Sequence, residues 1–120
     1  MGSFCSPKGR KKEAELAHQH FCRGTQGDHI ALLNVYNEWK ASNYSEFFCR
    51  DFFLQHRSLE RARAIREQLC NLCERVEVEL TSNEGDYSNI RKALCEGFFA
   101  NIAKNVKDKE YEYGSDWWVL

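Results

Sequence analysis

Only one proline, Pro7, stands in the 120 residues, so beyond it no pyrrolidine ring interrupts the backbone. Most of the seven glycines fall between apolar runs rather than within them. Apolar residues then recur every three or four positions. Leu59, Ala62, Ile65, Leu69, Leu72 and Val76 fall on one stripe of a helix that Ser58 can cap, while Glu60, Arg61, Arg63, Arg66 and Glu67 lie mostly off it. A chain built this way folds as helices. The expected fold class is all-α, a bundle of about five helices.

The length suits one domain. Seventeen basic and eighteen acidic residues leave a net charge of -1, so a polycation that grips nucleic acid by bulk charge is excluded, and any positive surface is local. No run is long and apolar enough to span a bilayer, and the expectation is no membrane partner. The start, Met1-Gly2-Ser3-Phe4, lacks a basic segment followed by an apolar one, which reads as no secretory signal. Six cysteines without such a signal are expected as buried thiols.

Four further helices are expected. Residues 10–21 form a short one whose basic start opposes the helix dipole, which predicts fraying there or a partner. Asp28 is placed as N-cap of a buried helix carrying Ile30, Leu33, Val35, Tyr36 and Trp39, and Ser45 as N-cap of a short aromatic one. Residues 76–80 alternate valine and leucine with acids and allow a short strand. Asp86 or Ser88 caps a last helix over 87–105, with Ile90, Leu94, Phe98 and Ile102 at four-residue steps. The tail beyond is charged, then aromatic, without a period.

Chemistry-bearing motifs are sparse. Cys70 and Cys73 have the spacing of a metal or redox pair but no second pair, so no metal is expected. His18 and His20 sit two apart and point to different sides of a helix. No phosphate-binding glycine loop occurs, and no catalytic residue is expected. Arg57, Arg61, Arg63 and Arg66 remain, within ten residues, extended by Arg91 and Lys92. Four guanidinium groups so spaced form either a solvated, salt-bridged helix face or a phosphate-contacting edge.

A resemblance favours the second. Gly27-Asp28-His29-Ile30-Ala31-Leu32-Leu33-Asn34-Val35-Tyr36 resembles the "GDHLTLLNVY" segment that opens the helicase-associated (ratchet) domain of DEAH-box RNA helicases. Phe48-Cys49-Arg50-Asp51-Phe52-Phe53 is similar to the family's "WCxxNF", and residues 57–68 to its "RSLRRAxDIRxQL". Gly85-Asp86-Tyr87 followed by residues 90–103 resembles "VRKAICSGFFxNAA". Ser6-Pro7-Lys8 looks like the "RPKD" stretch at the tail of the preceding winged-helix region. The wording around Val76-Glu77-Val78 and Glu84-Gly85-Asp86-Tyr87 looks closest to the spliceosomal, pre-mRNA-splicing branch.

The resemblance implies a division into residues 1–9, a leader or the end of a winged-helix region; 10–104, the ratchet-like helical domain; and 105–120, a truncated or divergent start of an oligonucleotide-binding (OB) fold. It implies a domain that lines the single-stranded RNA tunnel of an ATP-dependent helicase, in the nucleus or also the cytoplasm, without catalytic residues of its own. ATP and Mg would be bound by RecA-like domains absent from this sequence, so no cofactor is expected here. Implied partners are RNA, bound weakly by this piece alone, and the RecA-like, winged-helix and OB-fold domains. The residues implied to meet RNA are His56, Arg57, Ser58, Arg61 and Arg91. The alternative is a stand-alone helical protein-interaction module that binds no RNA, docking through residues 10–21 or self-associating through Trp117 and Trp118.

Overall fold

The computed structural model describes residues 3–22, 27–83, 85–101, 103–107 and 110–113. Five α-helices dominate: α1 (Lys11–Cys22), α2 (Asp28–Ala41), α3 (Glu46–Asp51), α4 (His56–Arg75) and α5 (Ser88–Gly97). The all-α expectation holds for the body of the chain. Backbone packing divides it into two units, 1–80 and 81–120.

The first unit holds the core. Phe21, Val35, Trp39, Cys49, Leu54 and Leu59 are buried together, with Phe4, Tyr36, Tyr44, Phe48 and Phe52 packed around them. α3 is anchored through Phe48 and its C-cap Phe52, which lie 4.7 Å apart and each face Phe21 of α1, whereas Phe47 is exposed. The start of α1 is not left to oppose its dipole alone. Arg10 and Lys11 pair with Glu13 and Glu15, at 2.7 and 3.9 Å. Phe4 bridges Leu54 in an antiparallel pairing, flanked by hydrogen bonds from Cys5 N to Phe53 O and from Gln55 N to Ser3 O, each 2.7 Å. The carbonyl of Phe53 also lies 3.1 Å from Nε2 of His18. A carbonyl only accepts, so that nitrogen carries the proton.

Ser45 caps α3 as expected, its hydroxyl accepting from the amide of Phe48. Two other caps of the first unit differ from expectation. Asp28 is the first residue of α2, behind an N-cap Gly27 at φ 113°, and acts as a first-turn carboxylate on the helix dipole. Ser58 lies inside α4, which starts one turn earlier because Gln55, held extended by its pairing with Ser3, is the cap. The hydroxyl of Ser58 donates to the Gln55 side chain instead.

The strand allowed at 76–80 does not form. Glu77 takes a left-handed φ of 57°. Val78 N then bonds Cys73 O, and Glu77 N bonds Glu74 O, the paired contacts of a Schellman helix end. That bend turns the alternating residues away from any ladder, and Val78 and Leu80 are exposed.

In the second unit the N-cap of α5 is Tyr87, without a side-chain cap bond, rather than Asp86 or Ser88; Ser88 is the first helical residue, and Asp86 accepts from its amide at 2.9 Å. The hydrogen bonds from Ser88 hold the Asp86 carboxyl below its ordinary range. The helix is shorter than expected. It ends at Gly97, a short 3-10 turn covers Phe99–Asn101, and an antiparallel hairpin follows, β1 (Ala103–Lys107) with β2 (Glu110–Tyr113). Glycine's entropic cost at the helix end and the 3-10 bond from Asn101 N to Phe98 O account for the stop. The hairpin gives a period-two structure to residues expected to be helix and aperiodic tail. Trp117 and Trp118 lie outside the described residues.

Candidate nucleic-acid interface

The site begins with how α4 is seated. Leu59 is buried, fixing the first turn of the helix to the core. His56, Arg57, Ser58 and Arg61 therefore sit on one rigid turn and a half. Arg57 and Arg61 are four residues apart, which stacks them on one face, and both are exposed. Arg91 belongs to α5, in the second unit, and is likewise exposed.

His56 and Ser58 have structural partners. The His56 ring packs edge-on against Trp39 at 5.7 Å, and its Nδ1 lies 3.7 Å from Glu60. Ser58 is held by Gln55. These two shape the first turn, while the two arginines face outward.

A second feature lies close by in sequence on α4. Asn43 and Tyr44 both adopt left-handed backbone, φ 58° and 60°, after the serine-rich end of α2. That turn brings the Tyr44 ring edge-on to Trp39 at 4.9 Å and places its face under the Arg63 guanidinium, 3.9 Å away. Arg63 is also bonded to Glu67 at 3.2 Å. A guanidinium held by a ring on one side and a carboxylate at its end is pre-oriented. Tyr36 stands next to this group. Burial, reinforced by Tyr44, raises its hydroxyl above the usual tyrosine range.

Reading the arginine run from sequence finds Arg63 but not Tyr44. The signal available was the Ser-Asn-Tyr-Ser turn, since asparagine tolerates left-handed backbone and so can redirect the next side chain.

Of the six cysteines expected as buried thiols, Cys49 alone is buried; Cys22 is exposed, and Cys5, Cys70, Cys73 and Cys95 are half-buried. Cys49 is buried, and burial, followed by Glu46 and Glu60, pushes its thiol up to about 11. Such a thiol is not a nucleophile at neutral pH. Among the described residues no group of three or more His, Cys, Asp or Glu side chains is placed to hold a metal ion, and no helix is long and apolar enough to cross a membrane. The arrangement can bind anions by charge and planar hydrogen bonding. A comparison with models of known protein families finds none that matches the chain.

Proposed function

We propose that the chain is a ratchet-like domain of a DEAH-box RNA helicase of the pre-mRNA-splicing branch, acting in the nucleus, and that it lines the path of single-stranded RNA without catalysis of its own. The observation that carries the proposal is the seating of Arg57 and Arg61. They are exposed, one turn apart, on a helix start anchored by buried Leu59, within the residues that resemble the family's arginine-rich motif. Guanidinium groups match phosphate oxygens in two-point geometry, and a fixed helix reduces the entropy lost on contact. Phosphate contact is independent of base identity, which suits a domain that holds a moving strand. ATP and Mg belong to the RecA-like domains of the parent helicase, and the winged-helix and OB-fold domains complete the channel.

Fluorescence anisotropy with a labelled oligo-U RNA tests the reading at about 50 and about 200 mM salt. Two to three phosphate contacts weaken single-strand binding roughly 7- to 20-fold across that interval. Arg57→Ala and Arg61→Ala should each weaken binding and flatten the salt slope. Binding that ignores salt and both substitutions removes phosphate contact by Arg57 and Arg61, and no binding at high-micromolar protein makes this chain alone a scaffold and turns the search to protein partners.

A further inference from the structure

Among the described residues of the first unit, the part of α4 beyond its first turn, with the C-cap Val76, carries an exposed apolar stripe. Ile65, Leu69, Leu72 and Val76 are 49, 55, 52 and 68% exposed, on a helix whose neighbouring segment buries Leu59 almost completely. Their spacing of four, three and four residues is the seam of a two-helix contact. It is narrow, about two side chains wide, unlike the broad apolar face with which a helix lies in a lipid surface. Contiguous exposed apolar residues of this kind mark an interaction site.

The charges beside the stripe identify what fits it. Arg61, Arg66 and Arg75 occupy its two flanks, together with Gln68 and Cys73. The acids of the helix are elsewhere: Glu60, Glu67 and Glu74 recur every seven residues on the opposite face. Glu60 approaches His56 and Glu67 holds Arg63, so two of them already have basic neighbours within the helix. A second copy of the chain docked on this stripe would set arginine flank against arginine flank in either orientation. A helix with a leucine-type seam and acidic flanks would cover the apolar residues and meet Arg61, Arg66 and Arg75 with opposite charge.

We infer that residues 65–76, the later part of α4 with its C-cap Val76, are a docking face for an acidic amphipathic helix of a partner protein. The inference shares Arg61 with the RNA reading, which rests on Arg57 and Arg61, but its test changes only Leu69, Arg66 and Arg75, so the two can fail separately. Docking orders as well as covers. Leu59 is the one buried residue of α4, and a helix with little tertiary support is held weakly, so the amides of its last turns should gain protection from hydrogen exchange when the partner binds.

The test uses the full chain and two labelled 21-residue helical peptides, each with leucines at the seam positions. One has glutamates at the flanks and the other has lysines. Anisotropy should show saturable binding of the glutamate peptide and binding about tenfold or more weaker for the lysine peptide. Leu69→Asp should abolish the glutamate-peptide binding. A double variant, Arg66→Glu with Arg75→Glu, should reverse the preference, an outcome that an unfolded variant cannot produce. Equal binding of both peptides, or of neither, overturns the inference. So does Leu69-dependent dimerisation in sedimentation, which makes a second copy the occupant, or Leu69-dependent binding to vesicles rich in anionic lipid.

Discussion

The two ends of α4 share one apolar pattern and meet opposite fates. At the N-terminal end Leu59 is buried against the aromatic cluster. From Ile65 to Val76 the same stripe continues at the same spacing and is exposed. Periodicity thus fixes which side of a helix is apolar, and says nothing of what covers that side. Cover comes from other elements: Trp39 of α2, Cys49 of α3 and Leu54 of the loop before α4 share the buried cluster with Leu59.

The largest contrast should appear in stability. Trp39→Ala removes the biggest fully buried side chain and should cost the first unit about 3–5 kcal/mol. Leu69→Ala, on the bare half of the same neighbourhood, should stay within about 0.5 kcal/mol. Urea unfolding of both variants checks the pair, and equal losses would mean that the stripe is covered in solution.

A smaller effect sharpens how the covered half is built. Ser45→Ala removes the cap that starts α3, and should cost about 1 kcal/mol in the same experiment. Its consequence should reach Cys49, whose shielding depends on α3, as faster thiol alkylation.

The smallest effect concerns the second unit, where Asp86 is fully exposed and its carboxyl is held low by Ser88. A depressed carboxylate stabilises at pH above its unfolded value, and the contribution disappears as pH falls through the folded value. The start of α5 should therefore loosen in acid below about pH 4, and Asp86→Ala should remove that dependence. The Ser88 amide, followed by NMR across the titration, reports both.

Much of the covered half was legible in sequence. Ser45 as cap follows from local chemistry; of the doubled aromatics expected as core, Phe48 and Phe52 pack against it, while Phe47 is exposed. The misplacements have specific causes. Asp28 and Ser58 were both good cap chemistry, but the caps fell to Gly27 and Gln55 because backbone geometry decided: a φ of 113° in one case and pairing with Ser3 in the other. The alternating residues after Val76 suggested a strand, yet Glu77 turned left-handed and closed the helix instead. Residues 103–107 and 110–113 pair as antiparallel strands where a helical period had seemed to continue through Ile102. In the candidate interface, Arg57 and Arg61 were legible as a charge cluster. The stacking of Tyr44 beneath Arg63 was not, because it depends on two consecutive left-handed residues and on the distance between helices.

The pairing of Phe4 with Leu54 also bears on how the chain is born. At roughly 5–20 residues per second, the ribosome delivers Leu54 roughly 2–10 s after Phe4. Helices α1 and α2 can form and meet during that wait, since their contacts are local and helices form in microseconds. The N-terminal segment has nothing to pair with until α3 and the loop after it have emerged. Synthesis therefore closes the first unit from its earliest residues last, and a stall before residue 54 would leave Phe4 and the ring of His18 exposed to the chaperones that read unfinished chains.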